Sequence, residues 1–244
     1  MWHAATRLIL VPVTSPDRLE ARWQTATGRA VLQRVLHDLR SEGGLSLPAI
    51  LEELDHTGEV KDGLDLRFVP LVGQQLDEVN LYAVDLTGAN LSRCRLQKAD
   101  VREALLHGAN LEGADLRGAY LSQTDLGGAN LRGAMLDSAM LDGATLSGAS
   151  LVGASCRDAF FSGANLDQAD LRQAVVTAAD FTDASCRNMS VSAGALERAS
   201  VQPPDRSSVV VEAARPPAGP RGATMRHPGA GPGLNPPGDR KSVV

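Results

Sequence analysis

With 244 residues, a net charge of −5 and a pI near 5.5, the chain is too mildly acidic for a general nucleic-acid binder and offers no basic patch to an anionic membrane. Its residues are 43% apolar but only 3% aromatic, so the core has to be built from Leu and Ala, which suits a narrow cylinder better than a thick sandwich. No apolar run approaches the length of a membrane span, and Arg7 to Val13 is too short for a secretory core, so the expected location is the cytoplasm.

In chain order, the first feature is a short β-prone run, Leu8 to Val13, closed by Thr14-Ser15-Pro16. Ser15 then makes an N-cap, with Pro16 at the first helical position and Asp17 in the first turn. Leu19, Trp23, Ala26, Ala30, Val31, Val35 and Leu39 recur at helical spacing, which predicts one helix with a single buried face, ended by Gly43-Gly44. A second, shorter helix is expected after Ser46, through Ile50, Leu51 and Leu54, up to Thr57-Gly58.

From Leu64 to Val201 an apolar residue returns every five positions, from Leu66 and Leu71 through to Leu196 and Val201. Given the overall apolar fraction, so long a run in one register has a chance probability of roughly 10^-10. Two residues before each of these sits a small residue, mostly Ala. In an extended segment, residues two apart share a face, so both point inward while their neighbours point out. A strand alone would give a period of two; a period of five means that each unit adds a residue and turns a corner. Gly at the slot two after the Leu (Gly88, Gly108, Gly113, Gly118, Gly128) suits a corner at positive φ. The expected result is a stack of coils with backbone groups paired along the axis, its open end covered by the helices before the repeat. Cys94, Cys156 and Cys186 fall on inward slots and read as reduced core thiols.

Ala114-Asp-Leu-Arg-Gly118, Ala129-Asn-Leu-Arg-Gly133 and Ala109-Asn-Leu-Glu-Gly113 resemble the pentapeptide-repeat family. The resemblance implies a right-handed quadrilateral β-helix with four repeats per coil, hence about seven coils here; the period of five by itself leaves a triangular coil open. After Val201 the composition shifts to nine Pro and six Gly among the remaining residues, a segment that cannot bury enough surface to order itself. Within it only Ser207 to Ala214 could pack, over the last coil. The expected organisation is thus an N-terminal segment with a helical cap (1–63), an all-β solenoid (64–201) and a disordered tail (202–244).

Catalytic chemistry is not legible. The five histidines are scattered, no phosphate-cradling loop succeeds a strand, and Gly128 to Gly133 is repeat punctuation. The aspartates one before the inward residue (Asp65, Asp85, Asp100, Asp115, Asp125, Asp170, Asp180) lie on a convex surface, where bonding to the adjacent turn is their expected role. No enzyme, cofactor or metal site is expected.

Function then belongs to the outward residues. Read every 20 residues, one outward column runs Asn80, Asp100, Tyr120, Met140, Phe160, Asp180, Ser200, and the neighbouring column adds Met135 and Val175. Three large apolar residues on consecutive coils predict a contact site for an unidentified protein partner or for a second copy in a homodimer. The competing expectation is that Leu8 to Val13 or the tail lies over them, leaving a structural spacer with no specific ligand. One branch of the family that the repeats resemble mimics DNA against type II topoisomerases. Residues 64–201 carry 17 Asp or Glu and 11 Lys or Arg, and Arg117, Asp137, Arg157 alternate in sign along one face, so mimicry is the alternative rather than the leading reading.

Overall fold

The protein was analysed as a computed structural model that describes residues 16–39 and 66–212. The Leu8–Val13 run, the helix expected after Ser46 and the chain beyond Glu212 lie outside them.

The N-terminal helical pattern forms two helices, α1 (Pro16–Gln24) and α2 (Ala26–Leu39), in place of the single one expected. The break is at Thr25. Its hydroxyl accepts from Gly28 N–H at 2.9 Å and donates to Arg22 O at 2.8 Å, so a β-branched residue with a capping oxygen ends one helix and starts the next. Gly28 is required there: a Cβ at this position would run into the Arg22 carbonyl oxygen. The buried side chains are Trp23, Val31, Val35 and Leu36, whereas Ala26 and Ala30, expected on the inner face, are exposed because the break rotates α2 relative to α1.

From Leu66 the chain becomes a continuous coil of turns and single-residue bridges. Every bridge is parallel and joins residues one coil apart, as in Pro70 with Asn90, Gln75 with Arg95, Asn80 with Asp100 and Asp85 with Leu105. Partners 20 residues apart mean four five-residue units per coil, which decides between the square and the triangle that the period left open. Backbone groups are satisfied between coils: Leu66 N–H donates to Asp85 O, Phe68 N–H to Thr87 O, and Asn90 N–H to Val69 O. Within each unit a turn closes on itself, as Val69 N–H does on Leu66 O.

The residue at the third position of these turns has positive φ throughout. Gly88 supplies it at 66°, and a side chain there would also strike the Phe68 ring of the coil before. Ala83, Lys98 and Asp183 adopt the same conformation at 55°, so the corner is imposed by the stack and merely eased by glycine.

Every fifth apolar residue from Leu66 to Leu196 is buried, together with the Ala column two before it, in one cluster that also takes in the helix residues Trp23, Val31, Val35 and Leu36. Three polar residues enter the Ala column; Gln74 is half-buried, and the two that are buried each find an acceptor in the preceding coil: Cys94 Sγ donates to Leu71 O and Thr124 Oγ1 to Val101 O, both at 2.7 Å. The three cysteines are buried and free, and burial pushes the Cys156 and Cys186 thiols up to about 12.

The five-residue phase breaks once. A turn opens at Ser192, one residue later than the pattern predicts, with Gly194 at φ 72°. The slip is local: Val201 bridges Asp180 in the outward column and is 41% exposed, while the turn from Arg206 to Val209 returns to the original phase. Val201 is not the inward residue expected from the period, and it takes the place expected for Ser200. Beyond it pairing resumes: β1 (Asp170–Leu171), β2 (Ser190–Ser192) and β3 (Val210–Glu212) form a parallel three-stranded sheet with Asp170 opposite Ser190 and Ser190 opposite Val210. Paired chain thus runs past the expected boundary at 201/202 as far as Glu212.

Candidate interaction face

The outward slot before each inward residue serves two purposes. Where it holds Asp or Asn, the side-chain oxygen turns back to accept the backbone N–H two residues on: Asn80 from Tyr82, Asp85 from Thr87, Asp125 from Gly127 and Asp180 from Thr182, all between 2.8 and 3.0 Å. This is the Asx-type turn bond expected of these residues. Asparagines add a ladder along the axis, with Asn130 Nδ2 donating to Asn110 Oδ1 at 3.1 Å.

Where Arg stands two residues after the Asp, a fork forms. Arg102, Arg117 and Arg172 each grip their own coil's Asp100, Asp115 or Asp170 through Nε and Nη2, at 2.6 to 2.8 Å. Asp115 is the most enclosed of the three and takes a further bond from Gln97 Nε2 at 2.7 Å. The Arg117 guanidinium, then Gln97, hold its carboxyl below the usual carboxylate range, and Arg102 and Arg172 do the same for Asp100 and Asp170.

A carboxylate with a depressed folded-state pKa contributes stability above its unfolded value, about 3.9, and loses that contribution as the pH falls through the folded one. Stability is therefore expected to fall on acidification below about pH 4. In Asp115→Asn part of that fall disappears, which urea midpoints measured from pH 7 down to pH 2.5 would reveal. A variant curve parallel to the wild type would remove Asp115 from the acid transition.

On three consecutive coils the slot holds a large apolar side chain instead. Tyr120, Met140 and Phe160 bridge in direct succession (Asp100 with Tyr120, Tyr120 with Met140, Met140 with Phe160, Phe160 with Asp180) and are 40%, 38% and 42% exposed. At a coil spacing of about 4.8 Å they make a stripe roughly 10 Å long on one flat side. Its lower end meets Asp100, held by Arg102, and its upper end Asp180, held by Thr182. Met135 and Val175 lie in the adjoining column, half-buried, where Ser155 bridges both and separates them.

Further exposed apolar residues lie outside the stretch that the column reading singled out: Val72, Tyr82, Leu105 and, at the end of the ladder column, Val201. The Leu105-Leu106 doublet in the sequence is a sufficient signal for the first outward Leu. Tyr82 sits on the corner beside the ladder face with the Arg102 guanidinium 5.9 Å from its ring centre, and its bond to the Glu103 carboxylate pushes its hydroxyl up. Val201 could not be placed without knowing that a residue is inserted after Ser192.

Among the described residues no group of three or more His, Cys, Asp or Glu is placed to hold a metal ion, and no helix is long and apolar enough to cross a membrane.

Pentapeptide repeats, in eight copies, match residues 75–113, 114–151 and 149–185. Among solved structures the chain is similar to Rfr23, a pentapeptide repeat protein from the cyanobacterium Cyanothece 51142, at 31% identity over 48% of this chain and 90% of that one, with a TM-score of 0.30. It is also similar to a pentapeptide repeat protein of the Arabidopsis thaliana thylakoid lumen, at 28% identity over 49% and 69% of the two chains, with a TM-score of 0.26. QnrB1, a plasmid-mediated fluoroquinolone resistance protein, is 14% identical over 59% and 91%, with a TM-score of 0.23. No curated protein matches the sequence.

Proposed function

The chain belongs to the pentapeptide-repeat family, and from that premise we propose that it works without catalysis, as a rod that presents a contact strip to a protein partner. The observation that carries this reading is the exposure of Tyr120, Met140 and Phe160 in unbroken succession on one face. Apolar surface taken out of water is worth about 25 cal/mol per Å² buried, and three large side chains in register offer a partner that gain without reorganising the rod. The proposed form is the right-handed, seven-coil solenoid of the family in the cytoplasm, with α1 and α2 as a helical cap at one end.

Mimicry of DNA against a type II topoisomerase finds no support in the charge pattern. A phosphate-like array needs unpaired negative charge at regular spacing. Here Asp77, Asp100, Asp115, Asp137, Asp167 and Asp170 are each engaged by an arginine of the rod.

Replacing Tyr120, Met140 and Phe160 together by Ser tests the reading. The expected result, by light scattering and thermal melting, is loss of association with the melting temperature lowered by no more than a few degrees, since surface substitutions away from structural features move stability by about 0.5 kcal/mol each. Unchanged mass with a large loss of stability would show instead that the stripe is internal packing.

A further inference from the structure

The geometry points to the kind of partner that the Tyr120–Met140–Phe160 strip fits: a basic, proline-rich segment in the polyproline II conformation, lying along the rod axis. This inference rests on the reading of the strip as a contact site and adds what would occupy it.

The spacing of the strip matches such a segment. Tyr120 and Phe160 are two coils apart, about 9.6 Å, with Met140 midway. A polyproline II helix repeats every three residues at 3.1 Å each, about 9.3 Å, so one ridge of such a segment stays in step with the two rings to within about 0.3 Å. An extended strand returns a side chain to the same face every ~6.7 Å and meets neither one coil nor two. An α-helix returns after seven residues, about 10.5 Å, and drifts by about 1 Å over the same span. The rod's period therefore selects among the three conformations in which a peptide can dock. Tyr and Phe rings are also the surfaces on which proline-rich segments pack.

The charge around the strip selects a basic segment. Asp142 and Asp183 lie on the corner that succeeds the strip, on coils two apart but at the second and the third position of their turns, and Asp158 lies on the corner that precedes it; none of the three makes an ion pair among the described residues. Cations on the corners flanking the strip are engaged: Lys98 by Glu78, Arg102 by Asp100, Arg117 by Asp115, Arg157 by Asp137 and Ser155. The upper half of the strip is thus rimmed by free carboxylate. A segment with Pro on the ridge facing Tyr120 and Phe160 and Arg on the next ridge sets a cation every ~9.3 Å along that edge, close to the rise between the coils that carry Asp142 and Asp183, which are offset from each other by one turn position.

The test is fluorescence anisotropy with the full-length protein and the N-terminally labelled peptide (Pro-Pro-Arg)3, against (Gly-Gly-Arg)3 and a helical amphipathic peptide of equal charge. The expected result is binding of the proline peptide at least tenfold tighter than either control. Tyr120→Ser and Phe160→Ser should each weaken it tenfold or more, while Asp142→Asn with Asp183→Asn should weaken it several-fold and flatten its salt dependence. Circular dichroism melts confirm that each variant is folded.

Equal binding of the proline and glycine peptides, or binding indifferent to Tyr120 and Phe160, overturns the inference. If the helical peptide alone binds in a strip-dependent manner, or the triple Ser variant loses self-association, the inference falls but the contact reading stands. If no peptide binds through the strip and the triple variant only melts earlier, both fall.

Discussion

Phe161→Ala is expected to destabilise the rod by about 3–5 kcal/mol, while Phe160→Ala, one residue away, changes stability by less than about 1 kcal/mol. Phe161 is fully buried and stacks on Phe181 of the next coil, with ring centres 5.0 Å apart and planes 3° from parallel. Truncating it removes a large apolar surface and leaves a cavity that cannot collapse, because the backbone on all four sides is held by hydrogen bonds between coils. Phe160 points the other way and keeps 42% of its surface in water. Urea unfolding of both variants against wild type measures the difference. Comparable losses at the two positions would mean that Phe160 is covered by another part of the chain, and the contact strip would have to be given up.

Trp23→Ala should cost about 3–5 kcal/mol as well, but with a different distribution along the molecule. Trp23 is the largest residue joining the helices to the first coil: it is 1% exposed, its Nε1 donates to Arg67 O at 2.9 Å, and the Arg22 guanidinium sits 4.9 Å above its ring while Arg22 Nη2 bonds the same carbonyl. In a stack where each coil touches only its neighbours, losing the end piece weakens nearby coils first. Amide exchange should therefore quicken around Leu66 to Leu91 and leave Leu141 to Leu166 close to wild type, and light scattering should show new association through the uncovered end. Trp23→Phe keeps most of the apolar surface and loses the hydrogen bond, a cost of about 1 kcal/mol. Uniform acceleration of exchange along the rod would argue against an end-covering role for α1 and α2.

Residue by residue, the coil was legible because its signal is repeated without relief. Leu at every fifth position and Ala two before it form buried columns from Leu66 to Leu196, and the aspartates one before each Leu make the turn bonds expected of them. Three features were not legible, each for a local reason. The break between α1 and α2 turns on one threonine whose hydroxyl competes with the helix, a choice that hydrophobic spacing does not record. The register shift after Ser192 leaves Leu196 inward and moves Val201 outward, so the period continues on paper to Val201 while the chain has already slipped. The square section depends on which residues bridge, and a period of five is compatible with three sides or four.

The candidate strip divides in the same manner. Its members, Tyr120, Met140 and Phe160, are set by sequence: in a solenoid of constant coil length, residues at a fixed interval must share a column, because every coil repeats the backbone path of the one before. That the interval is 20, so that these three bridge one another directly, is a property of the tertiary structure, since only the pairing between coils decides how many units close a turn. The period, the inward columns and the outward identity of the apolar residues follow from residue order, because alternation along an extended backbone assigns a side without reference to any other part of the chain. Which charges are paired among the described residues depends on how the coils stack. Asp115 and Asp142 are the same kind of residue, yet the first is enclosed in the Arg117 fork and the second makes no ion pair among the described residues, because no arginine stands two positions after it in its own turn.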